Sequence, residues 1–147
     1  MSPTAGNRVT YLVSCVSKKL DHSSPARDLY ISEWFRRARA YIEKRSGCWF
    51  ILSAKFGLVS PTELLAPYDE TLKDKSAAER LAWSDTVRAQ LNSQLLPARH
   101  IVIFAGIVYR RHLIDDPRRR AETVEIPLEG LRIGEQLRWF GQQNEAC

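Results

Sequence analysis

Hydrophobic residues follow two rhythms along this chain. Val9 to Val16, Cys48 to Ala54 ("CWFILSA") and His100 to Ala105 ("HIVIFA") are near-continuous apolar runs. Such runs suit strands covered on both faces of a parallel sheet. Glu122 to Ile126 instead alternates through Thr123, Val124, Glu125 and Ile126, the pattern of a half-exposed edge strand.

Between these runs the apolar period lengthens to that of a helix. From Ser32 to Ser46, the residues Trp34, Phe35, Ala38, Tyr41 and Ile42 fall on one stripe, with Arg36, Arg37 and Arg39 off it and Gly47 as a C-terminal stop. Ser76 and Glu79 in "SAAE" form a capping box. Trp83, Val87, Leu91 and Leu95 then run at i, i+4 spacing until Pro97 closes the segment. A short helix is expected after Gly106, ending near "DDP". A last one spans Ile133 to Gln143, with Leu137 and Trp139 or Phe140 turned inward.

The order β–α–β–α–β–α–β–α predicts an α/β fold: a single three-layer sandwich over residues 1–147. Its sheet is expected to be mainly parallel and four-stranded, with helices on both faces, strands one to three central and strand four at or near an edge. The length of 147 residues fits one domain with a proper core.

Charge and cysteine content narrow the function classes. The net charge of +5 is compatible with an anionic partner, nucleotide or nucleic acid, but does not require one. Cys15, Cys48 and Cys147 are too scattered for a disulfide framework, and His22, His100 and His112 share no zinc-like spacing with them. No metal or cofactor is expected. No apolar run approaches the roughly 20 residues that cross a bilayer, and the first ten residues lack a secretion pattern. The chain therefore reads as cytoplasmic, with no membrane partner.

Candidate chemistry collects at the predicted strand ends, where open α/β sheets bind ligands. Strand one runs into "SCVSKKLDHSSPARDLY" and strand two into "KFGLVSPTELLAPYDETLKDK", both longer than the usual connection. After strand one, Ser14, Ser17 and Lys18 suit a phosphate or a base carbonyl; the same residues also suit an ordinary turn. Cys15 is a candidate nucleophile if a cation or helix end lies beside it, and otherwise a small buried residue. Lys55 in "LSAKFGL" would meet the same anion, and Gly57 suits a turn of positive φ.

Further along, Tyr68 in "APYDETL" is a stiff aromatic able to stack on a base, and Asp69 can bind a ring nitrogen or sugar hydroxyl. Gly106 places a helix N-terminus close to a ligand. Glu129 in "PLEGL" lies between apolar neighbours as a candidate acid or base, with a salt bridge to Arg132 as the plainer alternative. The runs Arg36/Arg37/Arg39, Arg110/Arg111 and Arg118 to Arg120 serve either as solvated faces or as a nucleic-acid surface. No Walker loop or G-x-G-x-x-G fingerprint is present.

Taken together, "LVSCVSKK", "ARDLYISEWFRRARAY", "WFILSAKFGLVSP", "PYDETL", "FAG" with a following Tyr, and "PLEGLRIGEQLRW" resemble a bacterial and phage family known as a domain of unknown function. The resemblance runs from Val9 to Trp139 and implies one compact α/β domain without a settled activity. More distantly, the layout is similar to the uracil-DNA-glycosylase-like fold, the peroxide-stress proteins and a domain of archaeosine synthases. That similarity implies chemistry on loops after parallel strands. The glycosylase water-activating motif and its His-containing loop have no counterpart here, so uracil excision itself is not implied.

The resulting expectation is an enzyme acting on a nucleotide or nucleic-acid base by N-glycosidic cleavage or base exchange. Glu129 would be the acid or base, Ser14, Ser17, Lys18 and Lys55 the anion holders, and Tyr68 the stacking residue. A non-catalytic nucleic-acid-binding module and a Cys15 thiol enzyme are the competing readings.

Overall fold

The structure, a computed structural model, describes residues 9–45, 48–94, 100–114 and 123–145. Ser46, Gly47, Leu95, Pro97, the "DDP" stretch, Arg118 to Arg120, Glu122 and Cys147 lie outside the described residues. Four of the strands are the expected ones: β1 (Val9–Ser14), β3 (Trp49–Ser53), β6 (His100–Phe104) and β7 (Thr123–Glu125). They pair in parallel in the order β3-β1-β6-β7, with Tyr11 opposite both Trp49 and Val102. β7 is the edge, where Thr123 and Glu125 are exposed and Val124 is half-buried.

The sheet has five strands rather than four. β4 (Gly57–Val59) folds back antiparallel on β3, pairing Ser53 with Gly57 and Ile51 with Val59. Three residues are too few for a periodic pattern, so "GLV" reads as loop in the sequence. The turn depends on Gly57, whose φ of +76° suits glycine. Its missing side chain leaves room for Gln90, whose Oε1 accepts from Leu58 N at 2.7 Å.

The helices are α2 (Glu33–Arg45), α3 (Ala77–Gln94), α4 (Ile107–Ile114) and α5 (Ile133–Glu145), with one extra turn, α1 (Ala26–Leu29). Ser32 caps α2 through Phe35 N at 3.1 Å, and the Ser76/Glu79 capping box is made in both directions, at 2.9 and 3.1 Å. α2 packs on α5 and α3 on α4. Phe35, Ala38 and Ile42 are fully buried on α2, and Phe140 on α5. Trp34, at the start of the same stripe, is only partly buried. Phe140, Trp139, Tyr41, Tyr11 and Phe104 form a continuous aromatic cluster on β1 and β6. Each fully buried side chain of this size contributes about 1.5–3 kcal/mol of transfer free energy.

The two long loops zip together. β2 (Ser24–Pro25) pairs with β5 (Leu64–Leu65), Ala26 N donates to Glu63 O, and Arg27 N donates to Pro61 O. The first loop also returns on itself, with Leu20 N donating to Leu29 O and Ile31 N to Lys18 O, both at 2.9 Å. Segments joined by so many backbone hydrogen bonds hold the strand-end residues in place. They are ordered walls.

Candidate functional site

The carboxyl ends of β1 and β6 open into a cleft of about 940 Å³. Five chain segments build it: the loop after β1, Ser32 and Trp34 at the start of α2, residues 69–73, the start of α4, and the stretch from Leu128 into α5. Ser14, Cys15, Ser17, Lys18, Asp69, Gly106 and Glu129 all line it. Parallel strands explain this convergence, because each β1-like unit delivers its following loop to the same edge of the sheet.

Lys55 and Tyr68 are placed elsewhere. The Lys55 ammonium lies 5.4 Å from the Phe56 ring, exposed and outside the cleft lining. The antiparallel turn into β4 carries it away from the parallel strand ends. Tyr68 is committed to a chain of hydroxyls: Tyr68 OH lies 2.6 Å from Tyr30 OH and 2.8 Å from Ser53 Oγ. Ser53 Oγ already accepts from Lys55 N and Phe56 N, so its own proton goes to Tyr68. The Tyr68 ring is covered by Phe56, edge-on at 5.6 Å, and by the Lys19 ammonium at 4.4 Å. Burial pushes the Tyr30 and Tyr68 phenols well above their ordinary range, and it lowers Lys19.

Cys15 is buried, and its thiol donates to Tyr109 OH at 3.6 Å. Tyr109 OH also accepts from Leu72 N at 3.4 Å, and burial pushes this phenol up to about 12. Tyr109 thus ties the end of β1 to the loop before α3. The sequence offered only the spacing "FAG" with a following Tyr as a sign of it.

Glu129 has a 63% exposed side chain, and its partner is Arg110 of α4 at 3.5 Å rather than Arg132. Arg110 also donates from Nε to Ala105 O at 3.1 Å. Other arginines are engaged inside the molecule as well. Arg37 bonds Glu33 and Leu137 O; Arg39 bonds Asp28, Glu43 and Arg27 O.

The cleft therefore keeps few uncommitted charges. Glu70 pairs with Lys75 at 3.3 Å and Glu129 with Arg110, while Lys18, Lys19 and Lys73, against the one carboxylate of Asp69, have no ion pair among the described residues. The balance left in the cleft suits an anion. Among the described residues no group of three His, Cys, Asp or Glu side chains is arranged to hold a metal ion, and no helix is long and apolar enough to cross a membrane.

A family model described as "Family of unknown function (DUF6884)" matches residues 10–142. The chain belongs to this family. No curated protein and no solved structure matches it. The DUF6884 match spans every cleft-lining segment, from Ser14 in β1 to Leu137 in α5.

Proposed function

We propose that this DUF6884 protein is an enzyme acting on a nucleotide or a nucleic-acid base, cleaving or exchanging the N-glycosidic bond in the cleft beyond β1 and β6. One observation carries the reading. Small hydroxyls, lysines left without ion pairs among the described residues, and a solvent-accessible carboxylate share a cleft of about 940 Å³, within the range that takes nucleotide-sized ligands.

In this reading Ser17 and Lys18 hold the phosphate, and Ser14 lines the floor behind them. Glu129 takes a proton from water as the water oxygen bonds to the sugar anomeric carbon. The carbon–nitrogen bond breaks, and the departing base carries away the electron pair and gains a proton from solvent. The same carboxylate stabilises the positive charge that develops on the sugar. Arg110, at 3.5 Å, orients Glu129. Asp69 faces the same cleft and is assigned to a sugar hydroxyl.

The helix pairs α2/α5 and α3/α4 are read as the two outer layers of a three-layer sandwich, and the protein as cytoplasmic, where such substrates are available. A thermal-shift panel of nucleotides and modified bases, followed by single-turnover release of free base from the best binder, tests the function. Stabilisation by a nucleotide with base release supports it. A panel without any binder sinks it.

A further inference from the structure

The cleft has two unlike sides. The loop after β1 and residues 69–73 contribute serines, a threonine, lysines and acids, whereas the starts of α4 and α5 contribute Ile107, Val108, Ile133 and Leu137 beside Arg110 and Gln136. Ile107 opens α4 and Ile133 opens α5, and both border the cleft. They remain 53% and 62% exposed, among the most exposed large hydrophobic residues described. Exposed apolar side chains gathered at a cleft mark a place where an apolar surface is meant to be covered.

An aromatic side chain joins them. Of the four tryptophans, Trp49 and Trp83 are buried in the core and Trp139 packs in the aromatic cluster; Trp34 lines the cleft. Its indole is held at two points. Nε1 donates to Gln136 Oε1 at 2.8 Å, and the ring meets Phe140 edge to face at 5.9 Å. Gln136 is itself fixed, since its Nε2 donates to Leu131 O at 2.9 Å. An aromatic surface immobilised before ligand arrives loses little entropy on stacking.

We infer that Trp34, which shares the cleft with Ile107 and Ile133, is the seat of the nucleobase, with the phosphate end of the ligand directed to Lys18 and Lys73 on the polar side. This rests on the proposed nucleotide reading and gives it an orientation. It moves the stacking role from Tyr68, whose ring is already covered by Lys19 and Phe56, to a tryptophan inside the cleft. Gln136 is a positioning residue, acting through the indole it holds.

The test measures affinity for nucleoside 5′-monophosphates and for ribose 5-phosphate, by calorimetry and by quenching of tryptophan fluorescence. Trp34→Ala should weaken the nucleotides roughly 5- to 150-fold, as loss of one base–aromatic stack does, and leave ribose 5-phosphate unchanged. Trp34→Phe should retain much of the affinity but lose most of the quench. Because Trp34 also packs on Phe140, the exposed pair Ile107→Ala and Ile133→Ala provides a test free of core damage, with a smaller loss confined to base-bearing ligands. Wild-type affinity for nucleotides in all three alanine variants would overturn the seat while leaving the nucleotide reading standing. A wild-type protein that binds ribose 5-phosphate as tightly as every nucleotide would overturn it too. No nucleotide binding by the wild type would remove the functional reading itself, and this inference with it.

Discussion

Arg110 joins two strand ends: its guanidinium holds Glu129 at 3.5 Å and Ala105 O at 3.1 Å. The carboxylate after β7 is thereby fixed relative to the end of β6, although Glu129 itself stays largely exposed. If Glu129 is the acid or base, Glu129→Gln should leave folding and nucleotide affinity nearly intact while turnover falls about 10²- to 10⁴-fold. Single-turnover base release measures it. Full activity in the variant would end the assignment.

Lys18 and Lys55 separate on position. Lys18 lines the cleft, whereas Lys55 lies beside Phe56 at the turn into β4. Lys18→Ala should weaken nucleotide binding about 3- to 30-fold, as loss of a charge-assisted contact does, and Lys55→Ala should leave it unchanged. Equal effects from both, seen in titrations at matched salt, would place the anion elsewhere.

Cys15 distinguishes base chemistry from thiol catalysis. Its thiol is buried and engaged with Tyr109, so Cys15→Ser should keep substantial base-release activity. Iodoacetamide should react slowly with the folded protein at this position, by mass spectrometry. Complete loss of activity in a well-folded Cys15→Ser would move the chemistry to the end of β1.

All five tyrosines are held above their ordinary range, and burial is the largest cause for each. The folded phenols are raised above their unfolded value of 10.0, so their contribution to stability is complete below pH 10 and fades as pH climbs through the folded values, about 12 for Tyr109. Phenolate absorbance should therefore lag at pH 10 in the native protein, where an unfolded chain is half ionised. It should then rise together with loss of helical circular dichroism. Half-ionisation of the five tyrosines at pH 10 with the fold intact would contradict the burial of the Ser53–Tyr68–Tyr30 chain.

Gly57→Ala forces a side chain into positive φ and onto Gln90, which would have to leave Leu58 N. The expected cost is about 1–3 kcal/mol. A Tm loss of roughly 3–10 °C should show it, with the cleft ligand still bound. An unchanged Tm would mean that the β3–β4 turn tolerates an alternative path.

Elements with long, regular patterns were legible along the chain. Unbroken apolar runs at β1, β3 and β6 specify buried strands that pair in parallel, and the alternation at Thr123 to Glu125 specifies an edge. Parallel strands bring their following loops to one end, so the common location of Ser14, Ser17, Lys18, Gly106 and Glu129 was legible from strand ends alone. Tertiary structure decided what depends on partners distant in the chain. "GLV" becomes a strand because β3 offers an open edge beside it. Tyr68 turns from the cleft because Tyr30 and Ser53, 38 and 15 positions away, satisfy its hydroxyl. Trp34 lies on the apolar stripe of α2, yet Gln136 of α5 draws its indole to the cleft. Periodicity records which residues avoid water, whereas the direction of a polar atom is set by the group it meets across the fold.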